Sequence, residues 1–141
     1  MTVSFAFFAP GIPKGQPRAR AFVRKGHAAV YDPGTAEGWK GSIALAARDY
    51  LPASPYDCPI VCNLVFIFPR PARLMTKKSP DGRIPYTAKP DRDNSDKAVL
   101  DCLTGIGMWR DDALVYDGRI TKFYAAKGER TGAHIQIIAE E

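Results

Sequence analysis

The stretch Ile60-Val-Cys-Asn-Leu-Val-Phe-Ile-Phe68 is apolar and β-branched almost throughout and ends at Pro69. Such a run is typical of a buried strand, so we expect a central strand of a sheet here. Further strands are expected on both sides of it in the chain. They lie at residues 2–8, in a hairpin at 20–31 that turns at Lys25-Gly26, at 113–126 and at 133–139, with 127–132 as the hairpin turn between the last two.

Two segments have the spacing of amphipathic helices. The first begins at Asp32-Pro33-Gly34-Thr35, a helix-start pattern, and is expected to run to about Leu51. The second covers 94–104 and ends at Gly105. Its apolar stripe is formed by Val99, Cys102, Leu103 and Ile106. These elements predict an α/β (α+β) fold, a single domain over residues 1–141 with two main helices and a mixed, mostly antiparallel sheet.

The composition favours an ordered protein of one domain. Hydrophobic residues make up 45% of the 141 residues, which is enough for a core. Cysteine is present three times, at Cys58, Cys62 and Cys102. Because that number is odd and no signal peptide is visible, we expect reduced thiols and a cytoplasmic location. No apolar run approaches the ~18 residues of a membrane helix, so no membrane partner is expected.

The charge is unevenly distributed along a chain whose formal net charge is +5. Residues 1–31 carry five basic side chains and no acid, and residues 70–92 carry seven basic side chains against two acids. Basic surfaces around an acidic centre suit a polyanion held over metal ions, although a solvated surface of mixed charge explains the pattern equally well. The segment at about 69–90 has five prolines and few apolar residues, which predicts a mobile basic loop.

The segment Lys89-Pro-Asp-Arg-Asp-Asn-Ser-Asp-Lys97 is the most informative for function. Its proline favours an extended approach, so Asp91 and Asp93, two residues apart, can project to the same side. Lys97 follows Asp93 by four residues, which places it one helical turn further on the same face. We therefore expect two carboxylates and an ammonium group at the start of the second helix.

Carboxylates held this close repel each other unless a cation lies between them. Aspartate oxygens suit Mg²⁺ or Mn²⁺, and such an ion can bind a scissile phosphate and activate a water molecule. A simpler interpretation makes Asp93 a helix cap and places Lys97 in surface ion pairs with Asp93 and Asp101. That interpretation leaves Asp91 and the later pair Asp111-Asp112 unexplained.

Two other metal sites are excluded by the residues present. A calcium-binding loop would match Asp91, Asp93 and Ser95, but it requires glycine where Asp96 stands and glutamate where Cys102 stands. A zinc site is not indicated either, since no histidine lies near the cysteines in sequence, and the cysteines are expected in the core.

Three separated pieces together resemble the RusA family of Holliday junction resolvases. They are Asp91-Arg-Asp-Asn-Ser-Asp-Lys97, Leu100-Asp-Cys-Leu-Thr-Gly105 and Trp109-Arg-Asp-Asp-Ala-Leu-Val115. The resemblance covers about residues 89–125, and the first half of the chain matches only in general plan. It implies a small homodimeric, Mg²⁺-dependent endonuclease, with Mn²⁺ as a possible substitute, that nicks symmetric strands of four-way DNA junctions. It also implies a bacterial cytoplasmic enzyme, often encoded by a phage or prophage.

The resemblance also assigns roles to residues. Asp91, Asp93 and Asp112 match the metal-binding aspartates, and Lys97 matches the essential lysine. Whether Asp111 takes part is left open. The long basic insert before the site departs from the family pattern, so junction selectivity does not transfer.

Two alternatives remain open at this point, a nucleic-acid-binding module without catalysis and a nuclease of the same fold acting on forks, flaps or RNA. Trp109 could stack on an unpaired base, but anchoring the core is favoured. The basic side chains expected to contact DNA are Lys14, Arg18, Arg20, Arg70, Arg73, Lys77, Lys78, Lys89 and Arg92.

Overall fold

A computed structural model describes residues 1–16, 20–24, 27–31 and 36–141, with the backbone alone at 20–24 and 27–31. The strands are β1 (Thr2–Pro10), β2 (Arg20–Arg24), β3 (His27–Tyr31), β4 (Ile60–Phe68), β5 (Ile84–Pro85), β6 (Val115–Asp117), β7 (Ile120–Tyr124) and β8 (Gly132–Glu140). The helices are α1 (Glu37–Ala47) and α2 (Arg92–Gly105), and short 3₁₀ turns lie at Arg48–Tyr50, Ala72–Leu74 and Asp112–Leu114.

The main sheet is built around β4, as the apolar run that forms this strand predicted. Its strand order is β1-β8-β4-β7-β5, and the short β6 also pairs with β4. β4 is antiparallel to β8 and parallel to β6 and β7, while β1 and β5 pair antiparallel with their neighbours. The predicted α+β class, with two helices and a mixed, mostly antiparallel sheet, is confirmed.

The core lies between one face of this sheet and the two helices. Buried residues of neighbouring strands lie opposite one another on this face. Phe7 of β1 pairs with Ile135 of β8, which in turn pairs with Leu64 of β4. Trp39 and Ile43 of α1 pack into the same cluster. From α2 the buried side chains are Ser95, Ala98, Val99, Cys102 and Leu103. This packing fixes one face of α2 and leaves its first turn at the edge of the core.

Two predictions of single side chains are confirmed. Trp109 is 1% exposed and anchors the core, and its indole N–H donates a hydrogen bond to Oγ1 of Thr104 at 2.7 Å. All three cysteines are free, with Cys62 and Cys102 buried and Cys58 partly exposed. Cys62 and Cys102 are therefore packed in the interior, as expected for core cysteines.

The prediction of one long strand at 113–126 is wrong. The segment divides into a 3₁₀ turn, β6 and β7, because β6 and β7 lie along different parts of β4. Gly118 stands between them with φ +155°, and a Cβ there would lie 1.8 Å from the carbonyl oxygen of Cys62. Only glycine allows this close approach of the two backbones.

The expected hairpin between the last two strands is also wrong. β7 and β8 do not pair with each other, because both pair with β4 from opposite sides. The turn residues 127–131 therefore connect two strands across the end of β4. The predicted turn at Lys25-Gly26 and the helix start at Asp32-Pro33-Gly34-Thr35 lie outside the described residues.

The side chains of Lys127 and Arg70 are among the contacts that attach the basic segment at 69–90 to the body of the protein. The Lys127 ammonium group donates to the carbonyl oxygens of Thr76 and Ser79 and pairs with Asp81 at 3.1 Å. The half-buried Arg70 guanidinium donates to the carbonyl oxygens of Leu74, Pro80, Gly82 and Ala125. The mobility expected for this segment stays a prediction, and these contacts would have to open for it to hold. No helix among the described residues has both the length and the apolar character to cross a membrane.

Candidate active site

The first turn of α2 forms one side of the candidate site. The helix begins at Arg92 and not at residue 94, because extended Asp91 acts as the N-cap and its carbonyl oxygen accepts from the backbone N–H and the hydroxyl of Ser95, both at 2.9 Å. Ser95 is fully buried, so this double contact fixes the start of the helix to the core. The carboxyl groups of Asp91 and Asp93 remain exposed at this end.

The 3₁₀ turn before β6 forms the opposite side. Asp111 caps the turn, since its Oδ1 accepts from the backbone N–H of Ala113 at 2.9 Å. Asp112 is the first residue of the turn and is half-buried. Buried Trp109 holds the chain just before the turn. Asp111 thus shapes the turn, and Asp112 is the member of the pair whose charge acts on α2, at Asp96.

Asp96 lies where these two sides meet. Burial, together with the negative charges of Asp112 and Asp93, raises the pKa of its carboxyl group to about 6. The charges of Asp93 on α2 and of Asp112 on the 3₁₀ turn therefore both act on the Asp96 carboxyl group. From the sequence, Asp96 was given no role in the site and was named only in excluding a calcium-binding loop. The spacing of three residues from Asp93, which places both on one helix face, was the available indication.

The Asp91 carboxylate has a different environment. The ammonium group of Lys89 lies 2.9 Å from its Oδ1 and 3.0 Å from its Oδ2. Lys122 of β7 is a second cation near Asp91, and sequence reasoning missed it. Burial lowers the pKa of Lys122, the Asp91 carboxylate raises it and Lys89 lowers it. The alternating sequence pattern of β7 gives no indication that its lysine lies near the start of α2.

Lys122 is held in place by the backbone that leads into the site. Its ammonium group donates to the carbonyl oxygens of Ala88 at 2.9 Å and Pro90 at 2.6 Å. It also lies 5.2 Å from the ring centroid of Tyr86. The side chain thus ties β7 to two of the three residues that precede Asp91.

The predicted site residues are only partly brought together. The charges of Asp93 and Asp112 act on Asp96, whereas the Lys97 ammonium group lies 3.7 Å from Asp101, as the simpler ion-pair interpretation expected. Among the described residues, no three acidic, histidine or cysteine side chains form a ready metal cage. The donor set still fits a hard cation, because its repelling carboxyl groups are the ligands that Mg²⁺ and Mn²⁺ prefer. The roles of Asp91, Asp93, Asp112 and Lys97 stay predictions.

The basic residues expected to contact DNA divide into three groups. Arg70 donates to backbone carbonyls inside the protein, which disfavours the predicted phosphate contact. Arg18 and the side chain of Arg20 lie outside the described residues. Exposed side chains in the described part of the chain are Lys14, Arg73, Lys77, Lys78, Lys89 and Arg92. For these six, contact with DNA stays a prediction.

Comparison with known proteins adds an independent observation. Residues 10–138 match the family model described as endodeoxyribonuclease RusA. The chain is 30% identical over 120 residues to the uncharacterized protein YqaN of Bacillus subtilis strain 168, covering 82% of this chain and 84% of that protein. It is 45% identical over 58 residues to the crossover junction endodeoxyribonuclease RusA of Escherichia coli K12, covering 41% of this chain and 48% of that protein. The corresponding protein of Escherichia coli E24377A is 38% identical over the same length. As the motifs in residues 91–115 predicted, the chain belongs to the RusA endodeoxyribonuclease family, a family of DNA endonucleases.

Proposed function

We propose that this protein is a divalent-metal-dependent endonuclease that resolves four-way DNA junctions by paired, symmetric nicks. The observation that carries the proposal is that Asp93 and Asp112, from two separate segments, lie near enough for their charges to act on the half-buried carboxyl group of Asp96. A family of DNA endonucleases and a cluster of repelling carboxyl groups beside exposed basic side chains together support hydrolysis of a phosphodiester.

In this proposal Asp91, Asp93 and Asp112 hold Mg²⁺, which Mn²⁺ can replace. When bound, the cation supplies charge stabilisation to the phosphodiester at the transition state. The ammonium group of Lys97 is exposed on the same helix, and its weak pair with Asp101 leaves it able to donate to a phosphate oxygen.

The pairing of the nicks implies two sites. Resolving a junction requires cuts in two symmetric strands, and a homodimer with a two-fold axis supplies both. The homodimer is therefore part of the proposal, as is action on DNA in the bacterial cytoplasm. The alignment with the RusA proteins of Escherichia coli spans about half of their length, so the activity in their name supports this proposal without transferring to the whole chain.

The decisive experiment compares substrates of one sequence. A four-way junction, a linear duplex, a fork and a flap, together with an RNA hairpin, are incubated with the full chain in Mg²⁺, Mn²⁺ or EDTA. We expect nicks at symmetric positions of the junction with either cation, little cleavage of the other substrates, and none in EDTA.

Other outcomes identify the alternatives. Binding of the junction without nicking in either cation would establish a nucleic-acid-binding module instead. Equal cleavage of forks, flaps or RNA would establish a nuclease of the same fold with another substrate. Cleavage in EDTA would contradict the role given to the metal.

A further inference from the structure

A cleft of about 380 Å³ opens directly beside the candidate site. Its walls come from the loop at 11–16, the end of β4, the basic segment at 69–90 and the end of β7. Lys89 and Pro90 line it as well, and the next residue is Asp91. Whatever binds in this cleft therefore contacts the same short stretch of backbone that carries the first aspartate of the site.

Cationic side chains line the cleft from three separate segments. Lys14 reaches it from the N-terminal loop, Arg73 from the 3₁₀ turn at Ala72–Leu74, and Lys89 from the site. Lys14 and Arg73 are exposed, and in the part of the chain that the structure describes neither forms an ion pair. Arg73 has only a long hydrogen bond, 3.5 Å, to the hydroxyl of Tyr124. This uncompensated positive charge favours an anion.

The floor of the cleft is apolar and rigid. Tyr86 stacks on Phe68 with ring centroids 3.8 Å apart and meets the edge of Tyr124 at 4.9 Å. Prolines complete the wall, among them Pro69 and Pro90. Because the rings are already packed against each other, the floor offers a fixed flat surface and ring edges to a ligand.

The combination of a cationic rim and an apolar floor defines the ligand class. A ligand must carry an anion and a flat apolar group, and a cleft of this volume holds one small molecule or residue and no duplex. A nucleotide has both parts. We propose that the cleft binds one unstacked nucleotide of the DNA strand next to the scissile phosphate, with its phosphate at Lys14 and Arg73 and its base against the floor. The position of that nucleotide rests on the proposed function, whereas binding in the cleft does not.

Binding is tested first without catalysis. The full ¹⁵N-labelled chain is titrated in EDTA with a 5′-phosphorylated thymidine trinucleotide, and amide shifts are followed by NMR. We expect shifts at Lys14, Gly15 and Arg73, and affinity roughly fivefold lower in each of Lys14→Gln and Arg73→Gln. Arg48→Gln removes an exposed positive charge outside the cleft and should bind as the wild type does. Shifts confined to other regions, or unchanged affinity in both cleft variants, would overturn the proposal.

A second arm places the nucleotide relative to the cut. Abasic sites are introduced one at a time on either side of the nick in the cleaved strand of the junction. One flanking position should lose about tenfold in cleavage, because the base no longer packs on the floor. Uniform tolerance of abasic sites would contradict the assigned position while leaving the nuclease intact. Trinucleotide binding in the cleft, with no DNA cleaved, would reject the proposed function and leave the cleft as a nucleotide site.

Discussion

The acidic centre consists of Asp91, Asp93, Asp96 and Asp112. By charge, and not by segment, it has two sides, Asp91 on one and the other three carboxyl groups on the second, and they differ in how their negative charge is balanced. Both carboxylate oxygens of Asp91 contact the ammonium group of Lys89, and the ammonium group of Lys122 lies nearby. The negative charges of Asp93 and Asp112 disfavour the ionised form of Asp96, and within the described residues no ion pair reaches any of the three. An added cation should therefore be stabilised most on the second side, where the negative charge is not balanced by an ion pair within the described residues.

This difference suggests an order of events on binding. A cation would first relieve the repulsion around Asp96, and Asp91 would join only when Lys89 releases it. Lys89 can do so at little cost, because its side chain is 84% exposed and such pairs contribute about 1 kcal/mol or less. The released ammonium group would stand beside the cleft, where the substrate phosphates are proposed to lie.

The largest expected effect comes from removing Asp112. Asp112→Asn takes away a charge from the uncompensated side, so the rate of junction cleavage in Mg²⁺ should fall on the order of a thousandfold. Binding of the junction should be unchanged or tighter, since one negative charge near the phosphates is lost. Single-turnover cleavage and an electrophoretic binding assay measure the two quantities separately.

Asp111→Asn is the matched control. Asparagine retains the side-chain oxygen that caps the turn at Ala113, so cleavage should stay near the wild-type rate. If Asp111→Asn is as inactive as Asp112→Asn, the distinction drawn between the two neighbours is incorrect.

A smaller effect is expected on the balanced side. Lys122→Met removes the two hydrogen bonds that fix Ala88 and Pro90 ahead of Asp91. Lys122 acts as a positioning residue here, so the affinity for Mn²⁺ should fall by about 10- to 100-fold. Mn²⁺ binding is followed by electron paramagnetic resonance, and the Mn²⁺ dependence of cleavage should shift in parallel.

Lys127→Met provides the comparison for this variant. Lys127 also donates to two backbone carbonyls, those of Thr76 and Ser79, but the aspartate that it pairs with is Asp81 and not one of the candidate site. Both variants should lose some thermal stability, and only Lys122→Met should lose Mn²⁺ affinity. Equal losses of affinity would reduce Lys122 to a structural contact like any other.

Local patterns predicted much of the fold and of the site. The bounds of β4 follow from its apolar run, and the course of α2 follows from its stripe at Val99, Cys102 and Leu103. The motif containing Asp91 and Asp93 lies at a helix start as expected, because proline and spacing act within a few residues. Interactions between neighbours along the chain can be inferred without tertiary structure.

The errors concern contacts between distant segments. The break at Gly118 depends on the backbone of Cys62, and the separation of β7 from β8 depends on β4 lying between them. Likewise Lys122 and Asp96 acquire their roles from the other segments that they face. The local sequence around each of these residues is ordinary, so only the tertiary structure shows what the residue contacts.

The smallest expected effect concerns Asp96 on the uncompensated side and is measured as a change in the free energy of unfolding. In the folded protein the pKa of Asp96 is about 6, above its ordinary value of 3.8, so folding favours the protonated form. Stability should therefore fall as pH rises from about 4 to about 6 and stay level above that. Asp96→Asn removes this penalty and should stabilise the protein by about 1–2 kcal/mol at pH 7, after allowance for partial exposure.

The gain from Asp96→Asn should shrink in two conditions that calorimetry can compare. It should shrink at pH 4, where the wild-type carboxyl group is protonated, and in saturating Mg²⁺, which would neutralise the same repulsion. Asp101→Asn on the same helix loses only the 3.7 Å pair with Lys97 and should give no gain. A destabilised Asp96→Asn at pH 7 would show that the three carboxyl groups do not oppose one another, and the asymmetry between the two sides of the acidic centre would then disappear.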